Sequence, residues 1–354
     1  MNICIITVFN SANQGSFQQL KELGDAYSKY GKVYYLDAGI RRVFSGTPTY
    51  FIKCLCKLKF KKAFFELKKK IIFQKRYRSL SRITADRIDE MDLFVLGSDE
   101  IWNYNRADMR NEFLYGVGLN SKKVSYAPSV GNTDVKSFLD APKIRRSIGE
   151  LDLLSVRDEH SRNVITELGY DRDVDITVDP TFLKKKEQYV SECTYDYGHG
   201  YVALYCFQGV LDKAGISSSW LVNYAKSRNL KLVSGGIWSD YADENLHPYS
   251  SGTFDYYLNA DCVITNTFHG TAFAINFNKR FITFSCGKEK ITNLLKQFGL
   301  EDRDCTQKTE KQIMEMLDTP IDYSSVNSIL SDMRDSSLDF ISRSIDVLTD
   351  TEKV

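Results

Sequence analysis

Apolar runs alternate along the chain with polar segments of helical spacing. Residues 3 to 9, ICIITVF, form an apolar run; a polar loop, NSANQGS, follows, then the helix-patterned SFQQLKELGDAYSKYG and a second run, VYYLD. Strand, loop, helix, strand is the unit of a parallel sheet covered by helices, because strands buried on both faces read as unbroken apolar runs. Further strands are expected at DLFVLG (92–97), KVSYAPS (123–129), DLLSVR (152–157) and VDITVDP (174–180). Each ends in glycine or polar residues, where open α/β sheets place their ligand sites.

From residue 201 the pattern restarts with YVALYCF, KLVSGG, DCVITN and RFITF as strands, separated by the helical SSWLVNYAKSRN, FDYYLNA and HGTAFAINFN and followed by KITNLLKQFG. The expected fold is therefore α/β: two Rossmann-like domains facing a cleft, with parallel sheets covered by helices. The expected boundaries are 1–183 for the first domain (with a basic helical insertion at about 41–90), 184–199 for a linker, 200–318 for the second domain and 319–354 for a helical tail. In that tail Val326, Ile329, Leu330, Met333, Leu338, Ile341 and Ile345 recur at roughly helical spacing. A length of 354 residues suits two domains of roughly 150 each.

Composition narrows the class. Hydrophobic residues make up 43% and charged residues 26%, as in ordinary globular proteins. The net charge of +1 gives no global case for nucleic acid or for an acidic partner. The eight cysteines stand singly apart from Cys54 and Cys56, without a CxxC pair, as expected of a reduced cytosolic chain. The N-terminus reads as a first strand, without a basic leader or cleavage site, and no run reaches about 18 apolar residues, so neither secretion nor membrane spanning is expected. One segment is locally extreme: between Lys53 and Arg78 there are eleven Lys or Arg and a single acid, Glu66, interleaved with Phe, Leu and Ile. It is either a helix whose apolar face packs on the first domain or a basic amphipathic helix in peripheral contact with anionic lipid at the inner face of a membrane.

Four stretches stand at expected strand ends: NSANQGSFQQ, VLGSDEIWN, SVRDEH and NTFHG. They carry Asn13, Gly15, Ser98, Asp99, Glu100, Arg157 and His269. Gly15 and Ser16 either offer backbone amides to an anion or form an ordinary turn capped by Ser16. Asp99 either caps the next segment or, with Glu100, holds sugar hydroxyls, and Trp102 is expected in the core. Arg157 either pairs with Asp158 and Glu159 or grips a carboxylate or phosphate through its planar fork. A histidine gives or takes a proton at little cost near neutrality, so His269 is either structural or a general acid or base. Gly270 and Thr271 beside it permit a close backbone approach and a helix start. His160, His199 and His247 read as surface or loop residues, and there is no P-loop, GxSxG or HExxH.

Taken in order, NSANQGSFQQL, FVLGSDEIWN, VSYAPSVG, LLSVRDEHSRNVITELG, VDITVDPTFL and NADCVITNTFHGTAFAINFNKRFITF resemble the polysaccharide pyruvyl transferase family. The resemblance implies a GT-B-like pair of Rossmann-like domains and the transfer of the enolpyruvyl-derived group of phosphoenolpyruvate onto two sugar hydroxyls, giving a pyruvate ketal and phosphate. It implies phosphoenolpyruvate as co-substrate, a sugar or glycan acceptor, no metal and no other cofactor. Under it His269 is the acid and Arg157 an anion clamp, with Asn13, Gly15, Ser98, Asp99, Glu100, Thr267 and Gly270 lining the substrate. The sequence departs from the family pattern twice. Thr267 stands where some members carry an arginine two residues before the histidine, and Glu100 makes GSDE of the commoner GSDQ. Arg280, with Lys279, is the expected substitute cation. The rival expectations are a nucleotide-sugar glycosyltransferase of the same architecture and a non-catalytic sugar-binding member.

Overall fold

Two all-parallel sheets organise the computed structural model, which describes residues 1–8, 11–37, 59–213, 215–247 and 252–349. The first contains β1 (Asn2–Ile6), β2 (Lys32–Leu36), β3 (Arg82–Ile83), β4 (Leu93–Leu96), β5 (Lys122–Ser125), β6 (Leu153–Val156) and β7 (Asp175–Ile176), in the order β3-β2-β1-β4-β5-β6-β7. The second contains β8 (Tyr201–Tyr205), β9 (Lys231–Gly235), β10 (Glu244–Leu246), β11 (Cys262–Thr265) and β12 (Phe281–Thr283), in the order β10-β9-β8-β11-β12. The central strands are the unbroken apolar runs: all four residues of β4, all five of β8 and all four of β11 are buried. A strand covered on both faces has no polar side to display.

In both sheets the strand order reverses once. β1 has β2 on one side and β4 on the other, with Ile5 opposite both Tyr35 and Val95. β8 likewise separates β9 from β11, with Leu204 beside Ser234 and Ile264. At such a switch the two connections leave toward opposite faces, which opens a crevice beyond the carboxyl ends of the two strands.

The chain divides into two compact units, one made of Met1–Lys53, Lys70–Leu183 and Ser331–Val354, the other of Cys54–Lys69 and Lys184–Leu330. Segment 184–199, expected as a linker, carries a helix at Lys186–Glu192 and groups with the second unit. The tail is one helix, Ser324–Asp346, whose later part belongs to the first unit. There Ser337 Oγ accepts from Val178 N at 3.0 Å, Arg334 Nε donates to Phe182 O at 2.7 Å and Ser344 Oγ lies 2.9 Å from Tyr27 Oη. This inward face is partly polar, so the apolar pattern alone misplaces it: Ile329 and Leu338 are exposed.

The basic segment is a helix over Phe60–Arg78; residues 41–58 of the expected insertion, including Cys54 and Cys56, lie outside the described residues. Ala63, Phe65, Phe73 and Tyr77 are buried. Phe73 and Tyr77 meet Phe17 edge-on, and Phe65 stacks on His247 with ring centroids 3.9 Å apart. Packing on the protein's own core therefore accounts for this face. No helix among the described residues is long and apolar enough to cross a membrane.

His247 lies in the loop after β10, as expected, and is half-buried there because its ring stacks on Phe65. Burial, with Lys68 and Lys69 adding to it, draws its pKa from 6.5 down to about 4. The folded protein keeps this imidazole neutral where the unfolded chain protonates it, so the unfolded state binds more protons and stability is lost as pH falls from 6.5 towards about 4. In urea titrations across that window His247→Phe, which keeps an aromatic ring against Phe65, is expected to lose less stability than the parent chain. An identical pH dependence in the two proteins would refute the assignment.

Candidate functional site

At the first switch point the loops after β1 and β4 meet. Asn13 caps the helix Gln14–Tyr27: its Oδ1 accepts from Gly15 N at 2.9 Å and Ser16 N at 3.4 Å. The cap is therefore Asn13, not Ser16, and these two amides are already engaged. Ser16 Oγ instead donates to Asp99 Oδ2 at 3.2 Å. Asp99 has φ 77°, a left-handed conformation that aspartate tolerates better than most residues, and its Oδ1 accepts from Glu100 N at 2.8 Å. Ser98 is fully buried, donating from Oγ to Gln19 Oε1 at 2.7 Å while its carbonyl accepts from Thr7 Oγ1. Trp102 is core, as expected, its indole donating to Leu114 O.

Arg157, at the end of β6, is only 6% exposed and pairs with neither of its sequence neighbours expected as partners. Its Nη1 lies 3.3 Å from Asp179 Oδ2 and 4.0 Å from Asp99 Oδ1. Asp158 caps the helix Glu159–Glu167 through Ser161 N, and Glu159 pairs with Arg162. Burial opposes the charge on Arg157, but Asp179, Asp99, Asp158 and Glu100 outweigh it and raise its pKa above the ordinary arginine value. The guanidinium ties the loop after β4 to the loop after β7. A ligand anion would compete there with carboxylates already in place.

The second switch point is built around hydroxyls. After β11 the chain enters the helix Phe268–Asn276, capped by Thr267, whose Oγ1 accepts from Gly270 N at 3.0 Å. Thr265 Oγ1 donates to Tyr205 O of β8 at 2.9 Å and accepts from Thr267 N at 3.1 Å. Thr271 Oγ1 lies 3.0 Å from Thr267 O and 3.1 Å from Thr283 Oγ1 of β12. A Cβ on Gly270 would collide with Thr265 Oγ1 and Thr267 Oγ1, so only glycine permits this approach. The helix start, and with it His269, is pinned to three strands. His269 is 8% exposed and meets the Phe268 ring edge-on at 5.2 Å.

Two side chains that sequence reasoning missed complete this rim. Asn266, fully buried, accepts from Phe207 N at 2.9 Å and donates to Phe207 O at 3.0 Å, tying the loop after β11 to the loop after β8. Lys288, in the loop after β12, donates to Asn266 O at 2.7 Å. Burial, then Lys290, lowers its pKa, against the opposing effect of Cys286 and Cys206. Among the described residues no carboxylate forms an ion pair with it, and the Asn266 carbonyl orients its ammonium without neutralising it. Arg280, expected to supply the cation, lies elsewhere. It precedes β12, at the opposite end of the parallel sheet from His269, and donates to Leu317 O at 3.3 Å; Lys279 donates to Leu258 O. A residue just before a strand sits at the amino edge, and the site lies at the carboxyl edge.

The profile of the polysaccharide pyruvyl transferase family matches residues 28–288. The chain belongs to that family. The match includes five of the six stretches that carry the resemblance, along with Arg157, His269 and Lys288, and begins after NSANQGSFQQL. A comparison with curated proteins finds no match. Among solved structures the pyruvyl transferase-family chain is similar to a UDP-GlcNAc 2-epimerase from Methanocaldococcus jannaschii, in complex with UDP-GlcNAc and UDP. The TM-score is 0.52 at 10% identity, covering 94% of this chain and 99% of that one. It is also similar to a Listeria monocytogenes protein provisionally named UDP-N-acetylglucosamine 2-epimerase, with a TM-score of 0.51 at 7% identity, covering 93% and 90%. At such identities the likeness is one of fold: an α/β pair of Rossmann-like domains of the GT-B-like class.

Two substitutions test the local geometry. Thr267→Val removes the cap on the histidine helix and is expected to cost about 1 kcal/mol in denaturant unfolding; no loss of stability would show that the hydroxyl holds nothing. Arg157→Met leaves Asp99 and Asp179 uncompensated and is expected to cost roughly 3–5 kcal/mol, part of it recovered when Asp179→Asn is added. Strict additivity of the two changes would break the proposed pairing.

Proposed function

We propose that this family member moves the enolpyruvyl-derived group of phosphoenolpyruvate onto two hydroxyls of a sugar, in the assembly of a cell-surface polysaccharide or its precursor on the cytoplasmic side. Family membership across residues 28–288 supports the transferase class. The observation that carries the finer reading is the second-unit rim, where a histidine on a pinned helix start shares a switch point with Lys288, which forms no ion pair among the described residues.

The chemistry makes two demands. The methylene carbon of the enol must receive a proton so that the adjacent carbon becomes electrophilic, and the carboxylate and phosphate must be held while that happens. His269 is the donor in this reading and Lys288 the cation. One sugar hydroxyl adds to the electrophilic carbon and gives up its proton, the carbon–oxygen bond to phosphate breaks, and the second hydroxyl closes the ketal. Of the two protons lost by the sugar, one balances the new methyl group and one leaves with phosphate.

A second reading, a nucleotide-sugar transferase, is favoured by one observation: a protein of similar fold is known in complex with UDP-GlcNAc and UDP. The two are separated by following phosphate release from phosphoenolpyruvate with free, nucleotide-linked and lipid-linked sugars. Turnover is expected with at least one acceptor, falling about 10²–10⁴-fold in His269→Asn. Lys288→Gln is expected to raise the KM for phosphoenolpyruvate about tenfold, as for loss of a charge-assisted contact. Silence with every acceptor, together with thermal stabilisation by UDP and none by phosphoenolpyruvate, would overturn the first reading in favour of the second.

A further inference from the structure

The stretch TYDYGHG, residues 194–200, ends where β8 begins, and no step of the proposed reaction uses it. Gly198 and Gly200, at φ 71° and 78°, turn the chain into the strand. Asp196 Oδ1 holds the turn, accepting from Gly198 N at 2.7 Å and from Asn259 Nδ2 at 3.3 Å. On this held backbone the rings of Tyr195 and Tyr197 lie with centroids 4.8 Å apart, and Tyr197 meets the buried Tyr256 edge-on at 6.1 Å. Tyr195 is nonetheless 58% exposed. The two rings stand beside a cavity of about 250 Å³. Buried Tyr201 and Val233 line its inner end, and Asp196, His199, Lys231 and Glu244, all exposed, line its mouth. Every one of these residues belongs to the second unit. Tyr201, Lys231 and Glu244 are the first residues of β8, β9 and β10, so the cavity opens at the amino edge of the sheet. His269 and Lys288 stand at the carboxyl edge, and the length of β8, roughly 15 Å at about 3.3 Å per residue, separates the two.

The lining selects the chemistry of a ligand. Lys231 Nζ pairs with Glu244 Oε1 at 2.8 Å, so a phosphate or carboxylate would find its cation already neutralised and would also meet Asp196. An organic cation would suit Asp196 and the tyrosine rings, but it offers no acceptor to Lys231 or to the Tyr195 hydroxyl. A neutral ring bearing hydroxyls satisfies both kinds of partner, because each hydroxyl donates and accepts. The C–H face of a pyranose is also an apolar surface for an aromatic ring to cover. The cavity is smaller than the roughly 300–1,000 Å³ of pockets that enclose drug-sized molecules, and so takes one such ring rather than a chain of them. We propose that it is a binding subsite for a single neutral sugar residue of a glycan, independently of which reaction the protein performs. Tyr195 and Tyr197 supply the stacking surface, and Asp196 and the Lys231–Glu244 pair are the partners of the hydroxyls. The sugar held here is not the one at the carboxyl edge, since one ring cannot reach both.

The test is saturation-transfer NMR on the full chain with the methyl glycosides of glucose, galactose and mannose and with N-acetylglucosamine, alongside choline, uridine and inorganic phosphate, each titrated for affinity. At least one sugar is expected to bind with a Kd on the order of 1 mM, as suits so small a ligand. Tyr195→Ala is expected to weaken that binding about tenfold through the lost stacking surface. Asp196→Asn keeps the oxygen that holds the turn and is expected to weaken it about tenfold through the lost charge-assisted acceptor. His269→Asn is expected to leave it unchanged. Tyr195 and Asp196 are both exposed, and an unchanged thermal midpoint confirms that each variant is folded. Binding by none of the sugars, or full affinity in either Tyr195→Ala or Asp196→Asn, overturns the proposal. So does loss of sugar binding in His269→Asn, which would move the sugar to the carboxyl edge. Choline, uridine or phosphate binding in place of a sugar, and abolished by the same two variants, would assign the cavity to another ligand class and overturn it as well.

Discussion

The reversal of strand order in each parallel sheet is the constraint from which the rest follows. Where β1 meets β4 and β8 meets β11, the connections diverge to opposite faces and leave strand ends that neither crossover covers. Backbone groups exposed there need partners, because an unpaired buried donor or acceptor costs as much as a lost hydrogen bond. The two units meet that need differently. At β8 and β11 the amide of Asn266 satisfies both the N–H and the carbonyl of Phe207, and threonine hydroxyls link β8, β11 and β12 to the first turn of the histidine helix. At β1 and β4 ionised groups do the corresponding work, with Asp99 holding Ser16 and the amide of Glu100.

This difference decides where charge remains for a ligand. Arg157 is surrounded by carboxylates, which keep it protonated and also neutralise it; its value is positional, and removing either side of such a buried pair exposes the other to the full desolvation penalty. Lys288 rests on a carbonyl dipole, which orients an ammonium without cancelling it. A cation of that kind is only weakly stabilised by the fold, burial drawing its pKa down. Charge left partly uncompensated by the fold marks a binding group more reliably than charge alone.

How legible these features were in the sequence depends on their range. The central strands and the helices between them are local patterns, and they fall where apolar runs and helical spacing put them. β3 and β10 have two and three residues, too few for any periodicity, and exist because a neighbouring strand offers an edge, whereas the two-residue β7 falls within the expected VDITVDP run. The places of Asp179 and Lys288 at the two rims were invisible in the sequence because they arise from partners in distant segments: Asp179 from Arg157, Lys288 from Asn266. Arg280 misled for the converse reason. It is close to His269 in sequence, but the helix between them returns the chain to the far edge of the sheet. The histidine, by contrast, could be singled out because the strand, the cap and the glycine that place it are all within a few residues.

Thr267 draws these points together. An arginine at that position would bring a cation to the rim but could not accept a hydrogen bond from Gly270 N, since a guanidinium has no acceptor. Threonine does accept it, and its own hydroxyl proton can then turn to Thr265 Oγ1 at 3.0 Å, because the proton of Thr265 is already directed to Tyr205 O. The substitution therefore exchanges charge for a fixed helix start. Such an exchange is consistent with a working site only if another element of the same rim carries the charge. The loop after β12 ends in a lysine whose ammonium reaches the carbonyl one residue before Thr267. Cap and cation, which one arginine could not provide together, are here divided between two residues on adjacent loops.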